Sequence, residues 1–139
     1  MAYNILIVDD SETIRAVIAK TLRIAEIPVG ELWNAGNGLE ALEILRKEWV
    51  DLVFADINMP VMNGIEMIEQ MDKEGILKSV PVVIVSTEGS RTRIEELTAK
   101  GVKAYLRKPF APEALREMVA QVLEENKSGI KIWFIECRT

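Results

Sequence analysis

Hydrophobic residues fall into two alternating patterns along the chain. Compact apolar runs occupy positions 3–8, 52–55, 80–85 and 102–106; between them apolar residues recur every three or four positions. A short apolar run closed by a turn signal predicts a strand buried on both faces. The first run ends in Asp9-Asp10, the second in Asp56, the third in Ser86 and the fourth in Arg107-Lys108-Pro109. Pro81 fits only the first position of the third strand, because proline cannot donate to a ladder. A weaker strand is predicted over 31–35. Ile14, Val17, Ile18 and Leu22 predict a first helix capped by Ser11. Leu39, Ala41, Leu42 and Leu45 predict a second, to about Lys47, after the turn signal Asn37-Gly38. Met62-Asn63-Gly64 opens a third, with Ile65, Ile68 and Met71 on its apolar face. A polar fourth helix covers 91–100 and stops at Gly101, a good residue to follow a helix end. Leu115, Met118, Val119, Val122 and Leu123 predict a fifth over 112–126.

Five strands alternating with five helices predict an α/β fold with a doubly wound parallel sheet. Right-handed crossovers place helices on both faces and all strand carboxyl ends along one edge, where such sheets bind ligands. Asp9, Asp10, Asp56, Ser86 and Lys108 are predicted on that edge. Each has a plain alternative: Asp56 could cap a turn, Asp9 or Asp10 the first helix, and the Ser86 hydroxyl could satisfy its own loop. Together they are a poor core, because clustered carboxylates repel unless protonated or neutralised by a cation. Mg²⁺ suits such a set, since it takes oxygen ligands and keeps positions open for water and phosphate. Lys108 can reach a phosphate oxygen and Ser86 can donate to another. A carboxylate nucleophile, a metal and a lysine suit phosphoryl transfer onto Asp56.

Composition narrows the classes. At 139 residues the chain is expected to be one domain with a real core. Its net charge of −5 leaves no basic footprint for nucleic acid. Histidine is absent, which removes Ser-His-Asp triads and His-based metal sites. Cys137 is the only cysteine, which fits a reducing, cytoplasmic setting. No apolar run approaches the 18 or so residues of a membrane span, and a first strand starting so early leaves no room for a signal peptide.

The motifs ILIVDDS (5–11), NGLEAL (37–42), DLVFADINMPVMNG (51–64), VVIVST (82–87) and AYLRKPF (104–110) occur in order. With them the chain resembles the CheY-like receiver domain of two-component response regulators, over residues 3 to about 126. The resemblance implies a flavodoxin-like sheet of order 2-1-3-4-5 and a receiver domain at 1–126. It implies Asp56 as phosphoacceptor, and Mg²⁺ held by Asp9, Asp10, Asp56 and the Asn58 backbone carbonyl. Ser86 and Tyr105 take the switch positions and Lys108 the family's lysine place; Tyr105 could also be ordinary strand packing. Asn58 and Glu88 border the path of the hydrolytic water. The implied partners are a sensor histidine kinase or histidine phosphotransfer protein as donor. A downstream target would bind the face made by the fourth helix, fifth strand and fifth helix. Such a domain catalyses only its own phosphorylation and dephosphorylation. The alternatives are a receiver-like interaction module without phosphorylation, and a phosphohydrolase of the haloacid-dehalogenase type. The latter wants Asp-x-Asp after the first strand, where this chain has Asp9-Asp10-Ser11.

The resemblance ends before the extension at 127–139. There, residues 130–135 are rich in Ile and aromatics and predict an extra strand. It would lie on an open sheet edge of its own chain or pair with a second copy, giving a homodimer. Trp33 and Trp49 are expected in core or rim packing.

Overall fold

A computed structural model of the protein describes residues 2–87, 91–108, 110–125 and 133–136. In chain order the elements are β1 (Tyr3–Val8), α1 (Glu12–Ile24), β2 (Val29–Ala35), α2 (Gly38–Lys47), β3 (Leu52–Ala55), α3 (Gly64–Lys73), β4 (Val82–Ser86), α4 (Arg91–Ala99), β5 (Ala104–Arg107), α5 (Pro112–Glu125) and β6 (Trp133–Glu136). The strands pair in the order β2-β1-β3-β4-β5-β6, parallel throughout. The five expected strands thus take the order 2-1-3-4-5.

Both sheet faces are covered, which explains the unbroken apolar runs. Along each central strand alternate residues enter opposite cores, as a two-residue period requires. Leu6, Val8, Val53, Ala55, Val82, Ile84 and Tyr105 face one core, closed by Ala41 and Leu42 of α2, Met67, Ile68 and Met71 of α3, and Leu97 of α4. Ile5, Ile7, Leu52, Phe54, Val83, Val85, Ala104 and Leu106 face the other. That core is closed by Ile18 and Leu22 of α1 and by Leu115, Met118, Val119 and Val122 of α5.

Several expectations need correction. β2 begins at Val29 rather than residue 31. Its start is held by the Tyr3 N–H on the Pro28 carbonyl (2.7 Å) and the Glu31 N–H on Asn4 Oδ1 (2.9 Å). Ser86, expected in a loop, is the last residue of β4 and is buried. Asn37 is not only a turn former but the N-cap of α2, its side chain accepting the Glu40 N–H at 2.9 Å. Val17 and Leu39 face outward, because the contact stripes run through Ile18 and Leu22 on α1 and Ala41 and Leu42 on α2. Trp49 is 81% exposed, while Trp33 is half-buried against the first core. The described part of the tail strand is Trp133–Glu136, on the chain's own β5 edge; residues 130–132 of its expected range lie outside the described residues.

Candidate functional site

In the order 2-1-3-4-5 the connections leave β1 and β3 toward opposite sides, which opens a crevice beyond their carboxyl ends. Three interstrand hydrogen bonds deliver the expected residues to that edge. The Asp9 N–H donates to the Ala35 carbonyl (3.0 Å), Asp56 N–H to Val8 (3.0 Å) and Lys108 N–H to Ser86 (2.8 Å). Each residue is therefore one ladder step past its strand, where the backbone is still held but the side chain is clear of the core.

Asp9, Asp10 and Asp56 can offer one carboxylate oxygen each, all within 4.8 Å of one another. Asp9 is buried and bonded at every polar group. Its Oδ1 accepts the Ser11 N–H (2.9 Å), its carbonyl accepts Arg15 Nη1 (2.8 Å), and its Oδ2 faces Lys108 Nζ at 3.3 Å. Asp10 is exposed, and Asp56 is half-buried with its Oδ1 accepting the Ile57 N–H at 2.8 Å. Ser11 both caps α1, accepting the Ile14 N–H at 3.2 Å, and fixes Asp9, so the helix cap and the acid cluster are one local structure.

The electrostatics show the same crowding. The Asp56 carboxyl is raised above the usual carboxylate range, first by burial, then by the charges of Asp9 and Asp10. Lys108 and the Ile57 N–H oppose that rise without cancelling it. Three carboxylates with converging hard oxygen donors, one of them exposed to solvent, fit a small divalent cation.

The β3–α3 loop sets the far wall. Gly64 N–H donates to the Ile57 carbonyl at 2.8 Å, and a Cβ at Gly64 would collide with the Asp56 carbonyl oxygen. Only glycine lets the helix start this close to the strand end. Asn63 and Glu66 form a capping box that locks the first turn of α3. The Met62 carbonyl accepts the Gly38 N–H at 2.9 Å, which ties this loop to α2. Val61 takes a positive φ of 65° in that loop, an uncommon conformation for a β-branched residue. Asn58 lies in the same loop, exposed, two residues past Asp56.

Ser86 and Tyr105 are both buried on adjacent strands; Tyr105 is in register with Ile84, and Ser86 with Arg107. Tyr105 faces the core that α4 closes through Leu97. Glu88 lies outside the described residues. Sequence reasoning missed Arg15, Gly64 and the cap role of Asn63. The Asn63-x-x-Glu66 spacing was a readable signal for the last; the other two depend on packing that no local pattern encodes.

The response regulator receiver domain family model matches residues 5–120. A chemotaxis protein CheY homolog of Campylobacter jejuni is 36% identical over 121 residues, covering 86% of this chain and 92% of that protein. Chemotaxis protein CheY1 of Helicobacter pylori is 32% identical over 124 residues, covering 88% of this chain and 98% of that protein. The structure of the Vibrio cholerae chemotaxis protein CheY4 superposes with a TM-score of 0.77 at 34% identity, over 88% of this chain and 99% of that one.

Proposed function

The chain belongs to the response regulator receiver domain family, and from that premise we propose that it is a switch operated by phosphorylation of Asp56. The observation that carries this reading is the convergence of three carboxylates within 4.8 Å beside an ammonium 3.3 Å from one of them. A sensor histidine kinase, a histidine phosphotransfer protein or a small acyl phosphate supplies the phosphoryl group. Asp9, Asp10 and Asp56, with the Asn58 backbone carbonyl, would hold Mg²⁺, which supplies charge neutralisation for the phosphoryl oxygens. Asp56, once ionised, attacks without a general base. Lys108 leaves Asp9 for a phosphoryl oxygen, and the Ser86 hydroxyl takes another.

The bound phosphoryl group brings a charge of about −2. Drawing Lys108 and Ser86 toward it loads the β4–β5 pair, because Lys108 N–H is bonded to the Ser86 carbonyl. Tyr105 then repacks on the α4 side, and the face of α4, β5 and α5 changes shape for a downstream target. Phosphate acts by favouring one of two packings. The domain spans 1–126, residues 127–139 are an extension that places β6 beside β5, and the chain works in the cytoplasm. Asn58 and Glu88 flank the hydrolytic water and give a short-lived phosphoryl-aspartate. No helix among the described residues is long and apolar enough to cross a membrane.

The test is Mg²⁺-dependent labelling of Asp56 by acetyl phosphate, read by intact-mass spectrometry. Parent protein should gain one phosphoryl group, and EDTA or Asp56→Asn should abolish the gain. Lys108→Ala should still be phosphorylated but show no accompanying change at Tyr105. Undiminished labelling of the Asn variant overturns the assignment; no labelling of the parent favours an interaction module without phosphorylation. Steady release of phosphate with no adduct indicates a hydrolase.

A further inference from the structure

A cavity of about 380 Å³ adjoins the acid cluster on its Lys108 side, between α1 and the ends of β4 and β5. Ile14, Val17 and Ile18 form one wall; Thr87 and Phe110 stand with Lys108 on the other. Its lining is almost wholly hydrocarbon. Thr21 belongs to that lining too, because its hydroxyl is committed to the Val17 carbonyl at 2.8 Å and is satisfied within the helix. The volume is that of a small-molecule pocket. Val17 is 51% exposed, yet no fold requirement places an apolar residue there: the α1 seam to the sheet is Ile18 and Leu22. Among the described residues, Lys108 is the one charged group of the lining. The complement of such a cavity is a hydrocarbon body carrying an anionic head. Because Lys108 also lies 3.3 Å from Asp9, that head is delivered to the acid cluster.

We propose that this cavity seats the hydrocarbon tail of an acyl phosphate, making medium-chain acyl phosphates preferred phosphoryl donors to Asp56. The inference rests on Asp56 being the phosphoacceptor. In the step, an Asp56 carboxylate oxygen forms a bond to phosphorus. The bond between phosphorus and the acyl oxygen breaks, and its electron pair leaves with the fatty carboxylate. The phosphoryl group is on Asp56, and no further reactant is consumed. Lys108 pairs with the phosphoryl oxygens while the tail lies along Val17 and Phe110. Each methylene removed from water tightens binding several-fold, so preference should grow with chain length until the cavity is full.

The experiment compares acetyl, butanoyl and hexanoyl phosphates with the full chain and Mg²⁺, reading Asp56 phosphorylation by intact mass. The half-saturating donor concentration should fall at least tenfold from acetyl to hexanoyl. Val17→Asp should collapse that ratio toward one, whereas Ile24→Asp, exposed on α1 outside the cavity, should keep it. Equal half-saturation for all donors overturns the proposal and leaves Asp56 phosphorylation intact. A ratio unchanged by Val17→Asp also overturns it, since the tail then lies elsewhere. No phosphorylation by any donor, acetyl phosphate included, instead removes the Asp56 assignment on which it rests.

Discussion

Helices α3 and α4 cover the same sheet face, yet they are attached in different ways. α3 opens with a reciprocal capping box and buries Gly64, Met67, Ile68 and Met71. Its first residue is pressed against the Asp56 carbonyl. α4 buries Leu97 alone among its described residues, with Ile94 partly covered. Its other ties include the Thr98 hydroxyl on the Ile94 carbonyl (2.7 Å), which is internal, and Lys100 on Glu69 of α3 (3.0 Å), which is exposed. The lesson is a division of labour. The helix that follows β3 is fixed, because any shift there moves Asp56. The helix that lies over Tyr105 is lightly held, so it has the least to lose in a change of packing.

The largest expected effect tests that contrast directly. Ile68→Ala should destabilise by about 2–5 kcal/mol, because a wholly buried side chain on a fixed helix leaves a cavity. Leu97→Ala should fall near the low end of that range, about 2 kcal/mol, because a loosely attached helix can settle into the gap. Urea unfolding of both variants checks this, and equal losses would erase the distinction.

Gly64→Ala comes next, at about 1–3 kcal/mol from overpacking against backbone. Because the clash is with Asp56 itself, the variant should also weaken Mg²⁺ binding, followed by titration calorimetry. Loss of stability with unchanged metal affinity would show that the loop absorbs the strain away from the acid.

Asp56→Asn should stabilise the metal-free protein. The folded carboxyl titrates above its unfolded value, so the fold favours the protonated acid. That contribution is complete below the unfolded value of about 3.9 and is lost as pH rises through the folded value. At pH 7 the ionised side chain is therefore a net cost, which asparagine avoids. The variant should melt about 1–3 °C higher than parent at pH 7, scaled from partly exposed charge interactions. The gap should close below about pH 4, or on adding Mg²⁺ at pH 7; a gap independent of pH would refute the electrostatic account.

The smallest effect belongs to Lys100→Ala, at about 0–1 kcal/mol for an exposed ion pair. Its value is in hydrogen exchange, where α4 amides should exchange faster while α3 amides do not change.

Much of this molecule was written locally. The unbroken apolar runs of β1, β3 and β4, the N-cap at Ser11 and the apolar stripe of α5 are properties of neighbouring residues, and they determined the α/β class. Residue type and place also determined the candidate chemistry: Asp9, Asp10, Asp56 and Lys108 each follow an apolar run, and parallel ladders carry them to one edge. What tertiary structure decided depended on distance between segments far apart in sequence. Lys108 meets Asp9 across 99 positions, and its charge opposes the rise of the Asp56 carboxyl only because the fold brings it there. The outward turn of Val17 and Leu39 followed from how each helix rolls on the sheet, which periodicity leaves free by a fraction of a turn. Gly64 shows the limit most plainly. Its identity suits a helix start, but its necessity comes from the Asp56 carbonyl lying where a side chain would be, a fact about approach rather than sequence.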